Sequence, residues 1–164
     1  TDATFQNAIN QCLAQDPVNG NFDVKPYGTI SEWDVSQVSD MSNAFRGETF
    51  FNGDISAWDV SGVDNMSAMF QNAQAFNQDI GSWDVSAVEF MNLMFSNATV
   101  FNQDIGFVWT VDEVTDMSYM FLNAKSFNQD ISTWEVSNVL NCKDFDTGAT
   151  SWVSSKPPFT SCTI

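Results

Sequence analysis

The chain has 164 residues and a formal net charge of −16, from 21 acidic and 5 basic side chains, with no histidine. That length suits one compact domain or a short repeat array, and a hydrophobic content of 43% argues against disorder. The charge excludes nucleic acid, which needs clustered Lys and Arg, and the missing histidine excludes Ser–His–Asp and Cys–His catalysis and His-ligated zinc.

No stretch has the apolar length of a membrane span, so the chain is expected not to be transmembrane. It starts with neither Met nor a signal-like apolar run, as a secreted, processed protein would, which points to an extracellular or cell-surface location. The apolar residues are 15 Phe, 7 Met and 6 Trp, but only four Leu: Leu13, Leu93, Leu122 and Leu140. Such a core leans on rings and thioethers.

In chain order, residues 2–14 come first and suit an amphipathic helix. Asp2 is its cap, and Phe5, Ile9, Cys12 and Leu13 share one face. Residues 1–26 form an N-terminal helical cap that covers the first coil.

Residues 27–145 are a repeat. Trp33, Trp58, Trp83, Trp109 and Trp134 are spaced by 25, 25, 26 and 25 residues. Around them FNGDISAWDVSGV, FNQDIGSWDVSAV, FNQDIGFVWTVDEV and FNQDISTWEVSNV recur, after a partial copy, YGTISEWDVSQV. The first four copies run into a Met-centred stretch: MSNAF, MSAMF, MNLMF, MSYMF. Ile80, Trp83, Val85 and Val88 carry the spacing of a leucine-rich repeat around a short strand, with Trp83 and Val85 inward and Asp84 outward. Met91, Met94, Phe95 and Ala98 follow at near-helical spacing, and Ser42, Ser67 and Ser118 stand where they could cap a short helix. The expected fold is an α/β repeat solenoid, leucine-rich-repeat-like, with a short parallel strand and a short helix in each coil. Residues 146–164, punctuated by Gly and Pro, form a C-terminal cap tail.

These repeats resemble a microbial surface-protein repeat family related to leucine-rich repeats (BspA-like), marked by FNxDIxxWDVSxVxxMxxMF. The resemblance covers residues 27–145. It implies a surface or secreted protein with a role in adhesion or surface architecture, and no settled catalytic activity. The chain departs from the motif at Phe107-Val108, where a residue is added, and at Thr110, which replaces an Asp. In the fifth copy Cys142 takes the first Met position and Asp144 the second.

Two acidic rows are candidate binding elements. The outward strand position gives Asp34, Asp59, Asp84, Thr110 and Glu135, and the return turn gives Asp54, Asp79, Asp104 and Asp130. Hydrated charges one coil apart, about 4.8 Å, repel by roughly 0.9 kcal/mol, so something must offset the row. A bound Ca²⁺ at the turn row is one reading. Turn N–H groups bonded by each Asp, with salt screening the rest, is the other. A glycosidase pair is disfavoured because repeated carboxylates share one environment, and no enzyme activity or other cofactor is expected. Ser36, Ser61, Ser86 and Ser137 beside the row do not make the flat Thr array of an ice-binding face.

Asn52, Asn77, Asn102 and Asn128 are expected to form an internal ladder that satisfies turn backbone groups. Asn65 and Asn97 head N-glycosylation sequons, and Asn97, beside a turn, is the better candidate. Cys142 and Cys162 are expected to pair. Cys12, at the other end, is either a buried filler or an intermolecular thiol. Two functions remain: a subunit of a surface or filamentous assembly, through end-to-end or lateral self-association or contacts with other surface proteins, or an adhesion module using its acidic strand face.

Overall fold

The computed structural model describes residues 2–162; Thr1 and residues 163–164, which belong to the two expected end caps, lie outside the described residues. Helix α1 (Asp2–Leu13) buries Phe5, Ala8, Ile9, Cys12 and Leu13. This is an i, i+3, i+4, i+7, i+8 stripe, the face an amphipathic helix turns to its core. Beyond it the backbone runs in successive turns, stacked coil upon coil.

The Met-centred stretches carry the stacking. Met66, Ala68, Phe70 and Asn72 donate their N–H groups to the carbonyls of Phe90, Asn92, Met94 and Ser96 in the next coil, at 2.8–3.0 Å. The alternate N–H groups, of Met69, Gln71 and Ala73, bond three residues back, to Met66, Ala68 and Phe70. Half of the backbone donors thus close local turns and half reach the neighbouring coil, which leaves no orphan in a buried segment. The same set repeats from Met41, Met91 and Met117.

This pattern overturns the expected α/β solenoid. Among the described residues there is one α-helix, one 3-10 turn (Ile30–Glu32) and no extended strand. Parallel pairing is confined to single bridges that link Asp40, Asn65, Phe90, Asp116 and Asn141. Near-helical spacing of Met and Phe does not give a helix because the backbone swings to positive φ at every fourth residue. Ala68 (φ 56°) and Asn72 (φ 63°) do so in one coil, and Leu93, Asn97, Tyr119 and Asn123 in the next two. A helix would also spend every N–H on its own carbonyls and leave none for the next coil. Ser42, Ser67 and Ser118 therefore cap no helix. Their own N–H groups are accepted by Asp40, Asn65 and Asp116.

The Trp-Asp-Val segments bury alternate residues, as a strand would, with Trp83 and Val85 inside and Asp84 exposed. They make no backbone bond to the next coil. Coils are joined there by the indole: Nε1 of Trp58, Trp83, Trp109 and Trp134 donates to the carbonyl of Ile30, Ile55, Ile80 and Ile105 in the coil before, at 2.9–3.3 Å.

Two columns of rings fill the centre. Phe45, Phe70, Phe95 and Phe121 stack at 5.5–5.7 Å between centroids, and Phe51, Phe76, Phe101 and Phe127 at 6.0 Å. Rings of the two columns also meet within each coil, Phe70 with Phe76 at 3.9 Å. Each fully buried ring contributes roughly 2–3 kcal/mol through area removed from water, and the stacking adds to it.

Both ends are covered. At the first coil Phe5 packs edge-on against Trp58, and Gln6 Nε2 reaches the carbonyl of Ala44. At the last coil the inter-coil bonds continue past residue 145, through Asn123 to Thr147, Ser151 to Lys125 and Ile131 to Ser155. The coil therefore runs on where a separate tail was expected. Asp116 bridges Asn141, so Cys142 aligns with Met117 and Phe145, not Asp144, takes the second Met position. Asp146 then falls where Phe121 stands in the coil before, and the Phe column stops. Trp152, edge-on to Phe121 and Phe127, closes it.

Candidate functional site

The first acidic row lies on the surface. Asp34, Asp59, Asp84, Thr110 and Glu135 are all exposed. Each carboxylate accepts the backbone N–H two residues on, at Ser36, Ser61, Ser86 and Ser137, at 3.0–3.1 Å. Asp34 and Asp59 also take the serine hydroxyl, at 2.7 and 2.6 Å. These Ser bonds hold the carboxyls of Asp34, Asp59 and Asp84 below the usual aspartate value, the side-chain bond first and the backbone bond second. Asp34 and Asp84 push Asp59 upward by repulsion, and the two bonds from Ser61 outweigh them.

The turn row behaves alike. Asp54, Asp79, Asp104 and Asp130 accept the N–H of Ser56, Gly81, Gly106 and Ser132, each at 3.0 Å. Ser56 and Ser132 also donate their hydroxyls and lower the pKa of Asp54 and Asp130. One oxygen of each carboxylate is thus spent inside its own turn. Among the described residues no group of three or more Asp, Glu, Cys or His converges as a metal would require. Of the two readings of this row, the bonds support the turn-forming one for Asp54, Asp79, Asp104 and Asp130.

Asn52, Asn77, Asn102 and Asn128 stand in one row. The Oδ1 of each accepts the N–H of its counterpart one coil on: Asn77, Asn102, Asn128 and finally Val153, at 2.8–2.9 Å. The row was expected to be internal, but Asn77 and Asn102 are exposed and Asn52 and Asn128 half-buried. The Gln after it forms a second row, Gln78, Gln103 and Gln129 donating Nε2 to the carbonyls of Asn52, Asn77 and Asn102.

A third row was not anticipated. Asn97 Nδ2 donates to Asn72 Oδ1 at 2.9 Å, and Asn123 Nδ2 to Asn97 Oδ1 at 3.0 Å. The recurring Asn-Ala of QNAQ, SNAT and LNAK was its signal. It changes the reading of the sequons. The Nδ2 that would carry a glycan at Asn97 is held inside this ladder, so Asn97 is the poorer site. Asn65 uses Oδ1 to accept the Ser67 N–H and is the better one.

Cys142 and Cys162 form a disulfide, with Cα atoms 5.8 Å apart. Cys12 is fully buried and its Sγ points at the carbonyl of Gly20, 3.1 Å away. Burial raises its pKa. An intermolecular bond through Cys12 is corrected on that ground, because no second chain can reach the sulfur without opening the helix cap. The inserted Phe107 and Val108 bulge outward, 93% and 59% exposed.

Covered ends, stacked turns and side-chain rows in register define a repeat protein whose accessible chemistry lies along its long sides. The chain belongs to the family described as Mycoplasma protein of unknown function, DUF285, which matches residues 18–109 and 107–156. No curated protein and no solved structure matches it. Among the described residues no helix is long and apolar enough to cross a membrane.

Proposed function

We propose that this chain is an extracellular interaction module of a surface protein, akin to the BspA-like repeats related to leucine-rich repeats, that presents its acidic row to a cationic partner. The observation that carries the reading is the row Asp34, Asp59, Asp84 and Glu135, repeated along the stack and fixed by a turn bond at every member. Fixed carboxylates lose little freedom on binding, so a basic segment laid along the stack meets a preorganised surface. The disulfide suits an oxidising, extracellular setting. Binding is favoured over catalysis because the carboxylates share one environment.

Self-association remains the second reading, in its lateral form. End-to-end growth would have to displace α1 at one end and Trp152 with the disulfide at the other.

Titration of oligolysine by calorimetry tests the reading. Asp59→Asn with Asp84→Asn is expected to weaken binding about tenfold, and Asp64→Asn with Glu89→Gln, equal in charge but off the row, much less. Equal losses in the two pairs would reduce the effect to net charge and remove the row as a site.

A further inference from the structure

A groove lined by Asn72, Gln74, Asn97, Thr99, Asn123 and Lys125 runs across three coils. In a chain of net charge −16 its lining holds no carboxylate. Three of these residues form the Asn72–Asn97–Asn123 ladder, in which Asn97 and Asn123 each spend one amide hydrogen on the coil before. Asn72 Nδ2 heads the ladder as a donor, and Gly148 packs against Asn123 Oδ1 at its other end. Asn123 keeps a second amide hydrogen, while Asn97 Nδ2 also meets Ser96 Oγ at 3.5 Å. Positive φ at all three residues holds the amides in place: 63°, 58° and 56°. Beside the lining, one residue past Gln74 and Thr99, run Ala75 and Val100, with Phe50 in register in the coil before and Ser126 in the coil after; Phe50 and Val100 are 67% and 43% exposed.

We infer that this groove is a binding site for a neutral oligosaccharide. Sugar hydroxyls both donate and accept, which matches amides that offer both functions, and Thr99 and Gln74 extend the same chemistry up the wall. The exposed Phe50 ring and Val100 offer apolar surface to the C–H face of a pyranose. An anion would find one cation, Lys125, and no second. An extended peptide repeats its side chains every two residues, about 6.8 Å, against a rung spacing of about 4.8 Å, so it drifts out of register within three coils. A pyranose in an extended glycan advances by about one rung. This site uses none of the acidic row, so it stands or falls apart from the cationic-partner reading.

The test is saturation-transfer NMR and calorimetry on the whole chain with cellotetraose and chitotetraose, and a Gly-Ser octapeptide as the competing class. Binding of at least one oligosaccharide is expected at millimolar concentration. Gln74→Ala with Thr99→Ala should weaken it about tenfold, as the loss of two hydrogen bonds would. Phe50→Ala should remove the transfer to sugar C–H protons. These side chains line an open groove or face solvent, so an unchanged melting temperature verifies folding, and oligolysine binding should be unaltered. No binding by either oligosaccharide, binding unchanged in the folded double variant, or binding of the peptide alone would overturn the inference.

Discussion

Oδ1 of Asp2 accepts the backbone N–H of Ser39 at 2.9 Å and that of Asp40 at 3.3 Å. One coil later the equivalent donors, Asp64 and Asn65, are accepted by the carbonyl of Ser39. The carboxylate of α1 therefore stands in for the backbone of a coil that does not precede the first one. It joins the helix cap to the stack by imitating the bond that joins coil to coil.

Asp2→Ala should loosen that cap. The loss removes a charge-assisted acceptor from two backbone donors, and solvent replaces it in part, so a cost of about 1 kcal/mol is expected. The melting temperature should fall by a few degrees. Hydrogen exchange at Ser39 and Asp40 should quicken while that at Asn65 stays slow. Unchanged exchange at Ser39 would show that the carboxylate does not hold it.

Acid should destabilise the protein even though it relieves a large negative charge. Asp2, Asp16, Asp34, Asp54, Asp59, Asp84 and Asp130 all titrate below the ordinary aspartate value of 3.8 in the folded chain, each because it accepts turn or loop hydrogen bonds. A lowered folded pKa means stability that is fully present above 3.8 and is lost as pH falls through the folded values. The melting temperature should hold between pH 7 and 5, where a chain without histidine titrates little, and drop below about pH 3.8. A continuous rise on acidification would mean that repulsion outweighs the turn bonds.

Trp83 separates the ring from the indole hydrogen bond. Trp83→Phe keeps an aromatic in place but loses the bond from Nε1 to the carbonyl of Ile55. That carbonyl still accepts the N–H of Trp58, so it is not orphaned. The expected cost is about 1–2 kcal/mol in urea denaturation, against about 3–5 for Trp83→Ala, which also leaves a cavity. Equal costs would mean that the bond, and not the volume, sets the choice of Trp.

The stacking of coils was legible in the spacing of the tryptophans, because large rings at one period must meet their copies one turn on. The bury-and-expose pattern of Trp83, Asp84 and Val85 was legible as well. What could not be read was the backbone between them. Alternating burial and near-helical spacing record only which side chains face inward. They do not record whether the N–H of Ala68 bonds its own segment or Asn92, and that choice separates a helix from stacked turns. The acidic residues left two readings open for a related reason. A repeated Asp looks like a row of ligands until the N–H two residues on is seen to hold it, and the Ser or Gly at that place, as in Asp54-Ile55-Ser56 and Asp79-Ile80-Gly81, was the available clue.

The cysteines offer a test of which end holds the fold more firmly. The Cys142–Cys162 bond closes a 20-residue span across the last coil, and Phe159, packed edge-on to Phe145, lies inside that span. Cys142→Ser with Cys162→Ser should cost about 3 kcal/mol in the chain-entropy account and expose the rings that Trp152 now covers. Cys12 should behave in the opposite way. It is buried, its thiol pKa is raised by that burial, and its Sγ is held against the carbonyl of Gly20. A thiol reagent should leave Cys12 unmodified in the native chain at pH 8 and label it only after unfolding, because the thiolate is the reactive form. Rapid labelling in the folded state would mean that α1 opens readily, and the covered first coil would then become available to a second copy of the chain.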